Sequence, residues 1–300
     1  MTALLARLAS LMRAVSEIDP GTGATELGRG LAELFGSRLV VEETLVDHRY
    51  RLVLRARLDG GRVALKAFSE PHRAAAELQA MLAAEAGGIS VPPVLGHWAS
   101  DDAIVIALGW IQGAALGAER ADWAAAGSQL ARLHALPLPA GLGRVSGWEA
   151  DWDDDLVRQV PNECARAARL GLLSSAEVGR VRDSLGPALA RLAPARLAFL
   201  HGDLQPEHVI LDSGGGVTLI DWGDSGSGDP LWDIAVLIND DLDRLDDVLA
   251  GYRPGPELTA HLGTNLDTFR ALRYLQEATW LAERSFDPAP SVAGLLSLIG

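Results

Sequence analysis

A polar segment set between short apolar runs constrains this chain more than any other part of it. Residues 197–200 are apolar and run into His201-Gly202-Asp203-Leu204-Gln205-Pro206-Glu207-His208. Two more apolar runs, 209–211 and 217–220, flank Asp212-Ser213-Gly214-Gly215-Gly216, and the second leads into Asp221-Trp222-Gly223. Apolar runs on either side of a Ser/Gly-rich turn predict a β-hairpin. One carboxylate, Asp203, then stands ahead of the first strand and another, Asp221, after the second, with His208 between them. Two carboxylates and an imidazole gathered by a hairpin suit a metal-assisted transfer in which one residue is free to act as base. The same residues could instead do no more than cap turns.

The rest of the chain divides into a strand-rich and a helix-rich part. Residues 1–18 and 24–35 carry apolar residues at helical spacing and are expected to pack as amphipathic helices. From Arg38 to Phe68 the pattern predicts three strands, the last two joined by Asp59-Gly60-Gly61, a hairpin turn signal. A helix is expected over 71–86, with Glu77 inside it and Leu78, Met81 and Leu82 on its apolar side. Val91-Pro92-Pro93-Val94 leads into another strand, and a second hairpin turns at Ser100-Asp101-Asp102. The stretch 108–113 exits the last strand and has the look of a hinge. Beyond it, helices are expected over 120–136, across 151–193 with breaks at Pro161 and Pro187, and over 266–284. His134 lies beside Leu130 and Leu133, where a core or supporting role is expected. The layout is an α+β chain of two lobes, 1–110 and 111–300, the first built on an antiparallel sheet with one helix and the second mainly helical.

Of the 26 lysines and arginines, only Lys66 is a lysine. A compact ammonium serves phosphate oxygens in a way that a planar guanidinium does not. On its strand Lys66 shares a face with Ala64 and Phe68, which suits a lysine reaching into a cleft. The alternative is an edge-strand lysine that discourages aggregation.

A formal net charge of −14 and a pI near 4.9 argue against a nucleic-acid partner, which needs a basic stripe. An acidic cleft would favour a small cationic molecule, although the charge could also serve solubility alone. The apolar runs are too short to span a bilayer, and the N-terminal residues lack the uninterrupted apolar core of a signal peptide. One cysteine, Cys164, rules out an intrachain disulfide. A cytoplasmic protein, monomer or homodimer, is the expectation.

Taken together, His201-Gly-Asp203-Leu-x-Pro-x-x-Val-Ile-Leu211, then Leu219-Ile-Asp221-Trp222, then Gly228-Asp229-Pro-x-x-Asp233-Ile-Ala235 resemble the aminoglycoside phosphotransferase family of the kinase-like fold. Val63-Ala-Leu-Lys66, Glu77, Trp110-Ile-Gln-Gly113, Leu130-Ala-Arg-Leu-His134 and Gly251-Tyr-Arg253 follow in the family's order. The resemblance implies transfer of the γ-phosphoryl of ATP or GTP, with Mg²⁺, to a hydroxyl of a small cationic molecule. An aminoglycoside or macrolide leads, and a sugar or amino-alcohol metabolite or a pseudokinase without turnover is the alternative. It also implies that Asp203 is the catalytic aspartate, Asp221 a metal ligand, Lys66 the lysine on the α- and β-phosphates, and Glu77 its partner. Gly109 and Ile111 would meet the adenine edge. His208 stands where the family usually has Asn. Imidazole is softer than Mg²⁺ prefers, yet the macrolide phosphotransferase branch resembles this chain in having His there. The phosphate-covering loop expected at 45–50 has no glycine and carries Asp47. Asp155, Asp224, Asp240, Asp241 and Glu277 fall where acidic residues would hold a substrate's ammonium groups, or where they would simply be solvated. A protein kinase is disfavoured, because the short stretch from Asp221 to Asp229 leaves no room for a long activation segment.

Overall fold

The computed structural model describes residues 39–48, 51–68, 71–99, 104–139, 152–192 and 197–300. The helices expected within 1–35 and the turn at 100–102 lie outside the described residues. The chain forms two compact units: one runs to Met81 and resumes at Ser90–Gln112, and the other holds Leu82–Ile89 and Gly113–Gly300.

The first unit is an antiparallel sheet of β1 (Leu39–His48), β2 (Arg51–Leu58), β3 (Gly61–Phe68), β4 (Val94–Ala99) and β5 (Ile104–Gly109), in the order β1-β2-β3-β5-β4. Alternation sets its faces. Leu52, Leu54, Ala56, Val63, Leu65, Ala67, Val105 and Ala107 bury one face in a single cluster. The β2–β3 connection is the one its sequence asks for: Asp59 and Gly60 both take positive φ, 51° and 84°, the backbone of a tight hairpin turn.

Two expectations need correction in this unit, and one alternative falls. The described part of the segment expected as a loop, residues 45–48, is not a loop after a short first strand. β1 continues to His48, which pairs with Arg51, and register shifts follow Val41 and Thr44. The β-prone Thr44-Leu45-Val46 run extends the ladder, and bulges absorb the mismatch. Arg49, Tyr50 and the side chain of Asp47 lie outside the described residues. Helix α1 (Pro71–Ala86) has the expected bounds, but Leu82 is 48% exposed. Its buried positions are Ala74, Glu77, Ala80, Met81 and Ala84, a stripe of small residues that admits a carboxylate. Finally, β3 is central, so Lys66 is not an edge-strand residue.

The second unit carries α2 (Arg120–Ala135), α3 (Trp152–Arg169), α4 (Ser175–Ala190), α5 (Leu231–Ile238), α6 (Leu245–Tyr252), α7 (Pro256–Glu283) and α8 (Ala289–Ile299). Its strands are short. β6 (Ala114–Ala115), β8 (Val209–Leu211) and β9 (Val217–Leu219) form one sheet, and β7 (Ala198–Leu200) pairs with β10 (Gly226–Gly228). Phe199, Leu204, Trp222, Trp232, Phe269 and Leu272 fill the core around them. Pro161 and Pro187 do not break helices; they sit inside α3 and α4. Both are exposed, so the carbonyls they leave without an N–H partner can meet water. No helix among the described residues is long and apolar enough to cross a membrane.

Candidate active site

In the first unit, the register places Lys66 between Val53 and Ile106, both buried. A charged amine there needs a partner. Lys66 Nζ donates to Glu77 Oε1 at 2.5 Å, and the Glu77 residue is 1% exposed. A buried pair of this kind is weak evidence for stability, because desolvation offsets much of the attraction. Glu77 Oε2 is also buried and meets no donor among the described residues. At the end of β5 the Gly109 amide donates to the Pro93 carbonyl at 2.8 Å, and Ile111 lies just beyond, half-buried and outside any strand.

In the second unit, the polar loop is held by its backbone. Asp233, fully buried on α5, accepts the His201 amide at 2.8 Å on Oδ2 and the Gly202 amide at 2.8 Å on Oδ1. His134 Nε2 donates to the same Oδ2 at 3.1 Å, which leaves Nδ1 to accept the Tyr252 hydroxyl at 2.8 Å. That is the supporting role expected of His134. Trp232 Nε1 donates to the Gly202 carbonyl at 2.6 Å. Gly202 has φ +88°, and a Cβ there would lie 1.8 Å from the Asp224 carbonyl oxygen, so no other residue fits. The expected hairpin is present as β8–β9, with Asp212 Oδ1 accepting the amides of Gly214 and Gly216 in the turn.

The loop and hairpin bring Asp203, His208 and Asp221 together. His208 Nδ1 lies 3.7 Å from Asp203 Oδ2, and Nε2 lies 3.7 Å from Asp221 Oδ2. Asp203 is 9% exposed. Burial pushes its carboxyl up, but Arg273, then His208 and the Gln205 amide, more than offset this and hold it below the ordinary carboxylate value. Arg273 Nη2 and Gln205 Nε2 reach the same oxygen, Oδ1, at 2.9 and 3.0 Å. Asp221 sits at φ 62°, a left-handed backbone uncommon outside glycine, ahead of the fully buried Trp222.

The tautomer of His208 bears on metal binding. Its Nδ1 lies 2.7 Å from the Asp203 backbone carbonyl, an oxygen that can only accept, so Nδ1 carries the proton. With Nδ1 so engaged, Nε2 is the ring nitrogen that faces the Asp221 carboxylate, at 3.7 Å. Among the described residues no group of three or more His, Cys, Asp or Glu is placed to hold a metal ion. A two-donor set fits an ion that completes its shell with water and phosphate oxygens, as Mg²⁺ does.

Of the acidic residues expected at the substrate, Asp240, Asp241 and Glu277 line one cleft of about 120 Å³ with Trp123, Gln205, Asn239 and Arg273. Arg244 pairs with Asp241 at 3.1 Å. Burial raises the Glu277 carboxyl above its ordinary value, with Arg273 opposing and Asp240 adding to the rise. Asn239 Oδ1 is buried and meets no donor among the described residues. Asp224 does not line this cleft; its backbone packs under Gly202 in the turn that Ser225 closes by donating to the Trp222 carbonyl. The side chain of Asp155 lies outside the described residues. Sequence reasoning quoted Gln205 and Asp233 within motifs without giving them a role, and passed over Arg273. Asp233 left a signal, a lone carboxylate in an apolar helix; Arg273 and Gln205 left none.

Residues 43–262 match the family model described as the phosphotransferase enzyme family. No curated protein matches the chain. Among solved structures it is similar to a thermostable mutant of aminoglycoside phosphotransferase APH(4)-Ia, with TM-score 0.70 and 18% identity over 91% of this chain and 98% of that one. It is similar also to macrolide 2′-phosphotransferase MphH from Brachybacterium faecium, with TM-score 0.59 and 20% identity over 91% and 97%. A third is an ethanolamine kinase from Plasmodium vivax, with TM-score 0.63 and 13% identity over 89% and 83%. These likenesses establish a two-lobed, kinase-like α+β fold. The chain belongs to the phosphotransferase enzyme family, and it is a phosphotransferase.

Proposed function

We propose that this protein transfers the γ-phosphoryl group of ATP or GTP to a hydroxyl of a small, amine-bearing molecule. The observation that carries the reading is the convergence of Asp203, His208 and Asp221 on one loop and hairpin, each carboxylate within 3.7 Å of the imidazole. In the proposed reaction the acceptor hydroxyl oxygen bonds to the γ-phosphorus and its proton passes to Asp203. The bond from that phosphorus to the bridging oxygen breaks, and its electron pair leaves with the nucleoside diphosphate. Phosphoryl transfer demands positioning and charge neutralisation more than covalent chemistry. Lys66, aligned by Glu77, takes the α- and β-phosphates, and the backbone at Gly109 and Ile111 takes the adenine edge. Asp221 and His208 Nε2 would hold Mg²⁺, which would supply neutralisation of phosphate charge. Solved structures of APH(4)-Ia with ADP or AMP-PNP and hygromycin B support a nucleotide donor and a small-molecule acceptor.

The cleft favours an ammonium group. Among the described residues Asp240, Glu277 and Asn239 Oδ1 lack a full set of donors, so they suit a ligand that only donates. An aminoglycoside meets this description, and so does an amino-macrolide. The small volume of the cleft also supports an amino-alcohol metabolite, in line with the ethanolamine kinase among the similar structures. The presence of Asp203, Asp221 and Lys66 argues against a pseudokinase. A panel of aminoglycosides, macrolides, sugars and amino-alcohols, each with ATP and with GTP, tests the reading. At least one amine-bearing acceptor should stimulate nucleotide consumption and yield a phosphorylated product; a panel without stimulation contradicts it.

A further inference from the structure

The Asp203 carboxylate is held from one side only. Arg273 Nη2 and Gln205 Nε2 both lie on Oδ1, at 2.9 and 3.0 Å. Oδ2 has no hydrogen bond among the described residues: His208 Nδ1 stands 3.7 Å away and is engaged at 2.7 Å by the Asp203 backbone carbonyl. The guanidinium that makes this asymmetry is itself fixed. The Arg273 side chain is 5% exposed, on a helix pinned to the end of α5. The pins are Arg270 and Tyr274, which both donate to the Asn239 carbonyl, at 3.3 and 2.5 Å. Gln205 is placed by the loop, whose Gln205 amide donates to the Asp203 carbonyl at 2.9 Å.

We propose that Arg273 is a positioning residue for Asp203, fixing Oδ1 so that Oδ2 is the oxygen presented to the acceptor hydroxyl. The inference rests on the phosphotransfer reading given above. An aspartate bonded through one oxygen keeps its carboxylate in one orientation and leaves the lone pairs of the other oxygen to the acceptor. The proton released when the acceptor oxygen bonds to phosphorus then passes to Oδ2. Misplacement of a catalytic group by about 1 Å can cost on the order of 100-fold in rate, so an anchor of this kind acts on kcat and not on nucleotide binding. Lysine at the same position could still donate to Oδ1, whereas methionine could only fill the space.

Two measurements test the proposal. Crystal structures of the wild type, Arg273→Lys and Arg273→Met should show the Asp203 carboxylate in one orientation in the first two. In Arg273→Met it should be rotated or split between two orientations, and an unchanged carboxylate overturns the proposal. Steady-state hydrolysis of ATP, with water in the acceptor's place, should fall about 10- to 100-fold in kcat for Arg273→Met at a KM within about threefold of wild type. Arg273→Lys should recover most of that loss. Equal losses in the two variants would mark a merely structural arginine and overturn it. If Arg273→Met does not fold, Gln205→Leu takes its place, at a half-buried position. A fall in kcat without a change in KM for ATP supports the one-sided hold, and no change overturns it. Wild-type protein without ATP turnover would count against the phosphotransfer reading, while the crystal structures would still decide on Arg273.

Discussion

At the scale of single residues, His208 does the most to distinguish this site. Its Nδ1 proton is spent on the loop's own backbone, so its remaining nitrogen is the part that can serve a metal. An Asn at that position offers an amide oxygen instead, a harder donor that Mg²⁺ accepts readily. His208→Asn should therefore retain turnover, and His208→Ala should require about tenfold more Mg²⁺ for half-maximal rate. Superimposable Mg²⁺ titrations for the three proteins would remove His208 from the metal site. Glu277 gives a pH-dependent counterpart. Its folded carboxyl is raised by burial, so its protonated form favours the fold. That contribution is complete below the ordinary glutamate value and is lost as pH rises through the raised one. Glu277→Gln should thus lose less thermal stability than wild type between pH 5 and about pH 7, while its KM for an amine-bearing acceptor rises. Parallel melting curves over that range would contradict the role of burial. Cys164, pushed to about 11 by burial, should resist thiol reagents at about pH 8 until the protein unfolds.

Among the elements, the loop at 201–208 depends on α5 more than on its own sequence. Asp233 accepts two loop amides and the His134 ring, all in the core. Asp233→Asn turns an amide NH₂ toward one of those donors and should cost about 2–4 kcal/mol in urea unfolding, since buried unpaired groups cost about 1–3 kcal/mol each. Stability within about 0.5 kcal/mol of wild type would show the anchor to be dispensable. What was legible here follows from range. The β2–β3 turn, the β8–β9 hairpin, the bounds of α1 and the face carrying Lys66 all depend on residues close in sequence, and local pattern predicted them. The hold on Asp203 depends on Arg273, 70 positions later on α7, where one of two arginines on a long helix carries no periodic signal. The prolines misled for the opposite reason. A proline predicts a helix break from local chemistry, but α3 and α4 tolerate Pro161 and Pro187 on exposed faces.

Across the whole molecule, the chemistry is divided between two compact units. The first holds a buried lysine–glutamate pair on a central strand; the second holds two carboxylates, an imidazole and an acidic cleft. Desolvation makes the lysine pair expensive to keep, and the proposed function gives its ammonium a phosphate to meet. Lys66→Met should therefore weaken nucleotide binding by tenfold or more and leave acceptor binding unchanged, as calorimetric titration of each ligand would show. The central claim concerns Asp203 and is tested most directly by following γ-³²P from ATP into an acceptor with wild-type protein and with Asp203→Asn. The account predicts labelled acceptor with the wild type and at least about 1000-fold less with the variant, at a nucleotide Kd within about threefold. Equal labelling by the two proteins would contradict it.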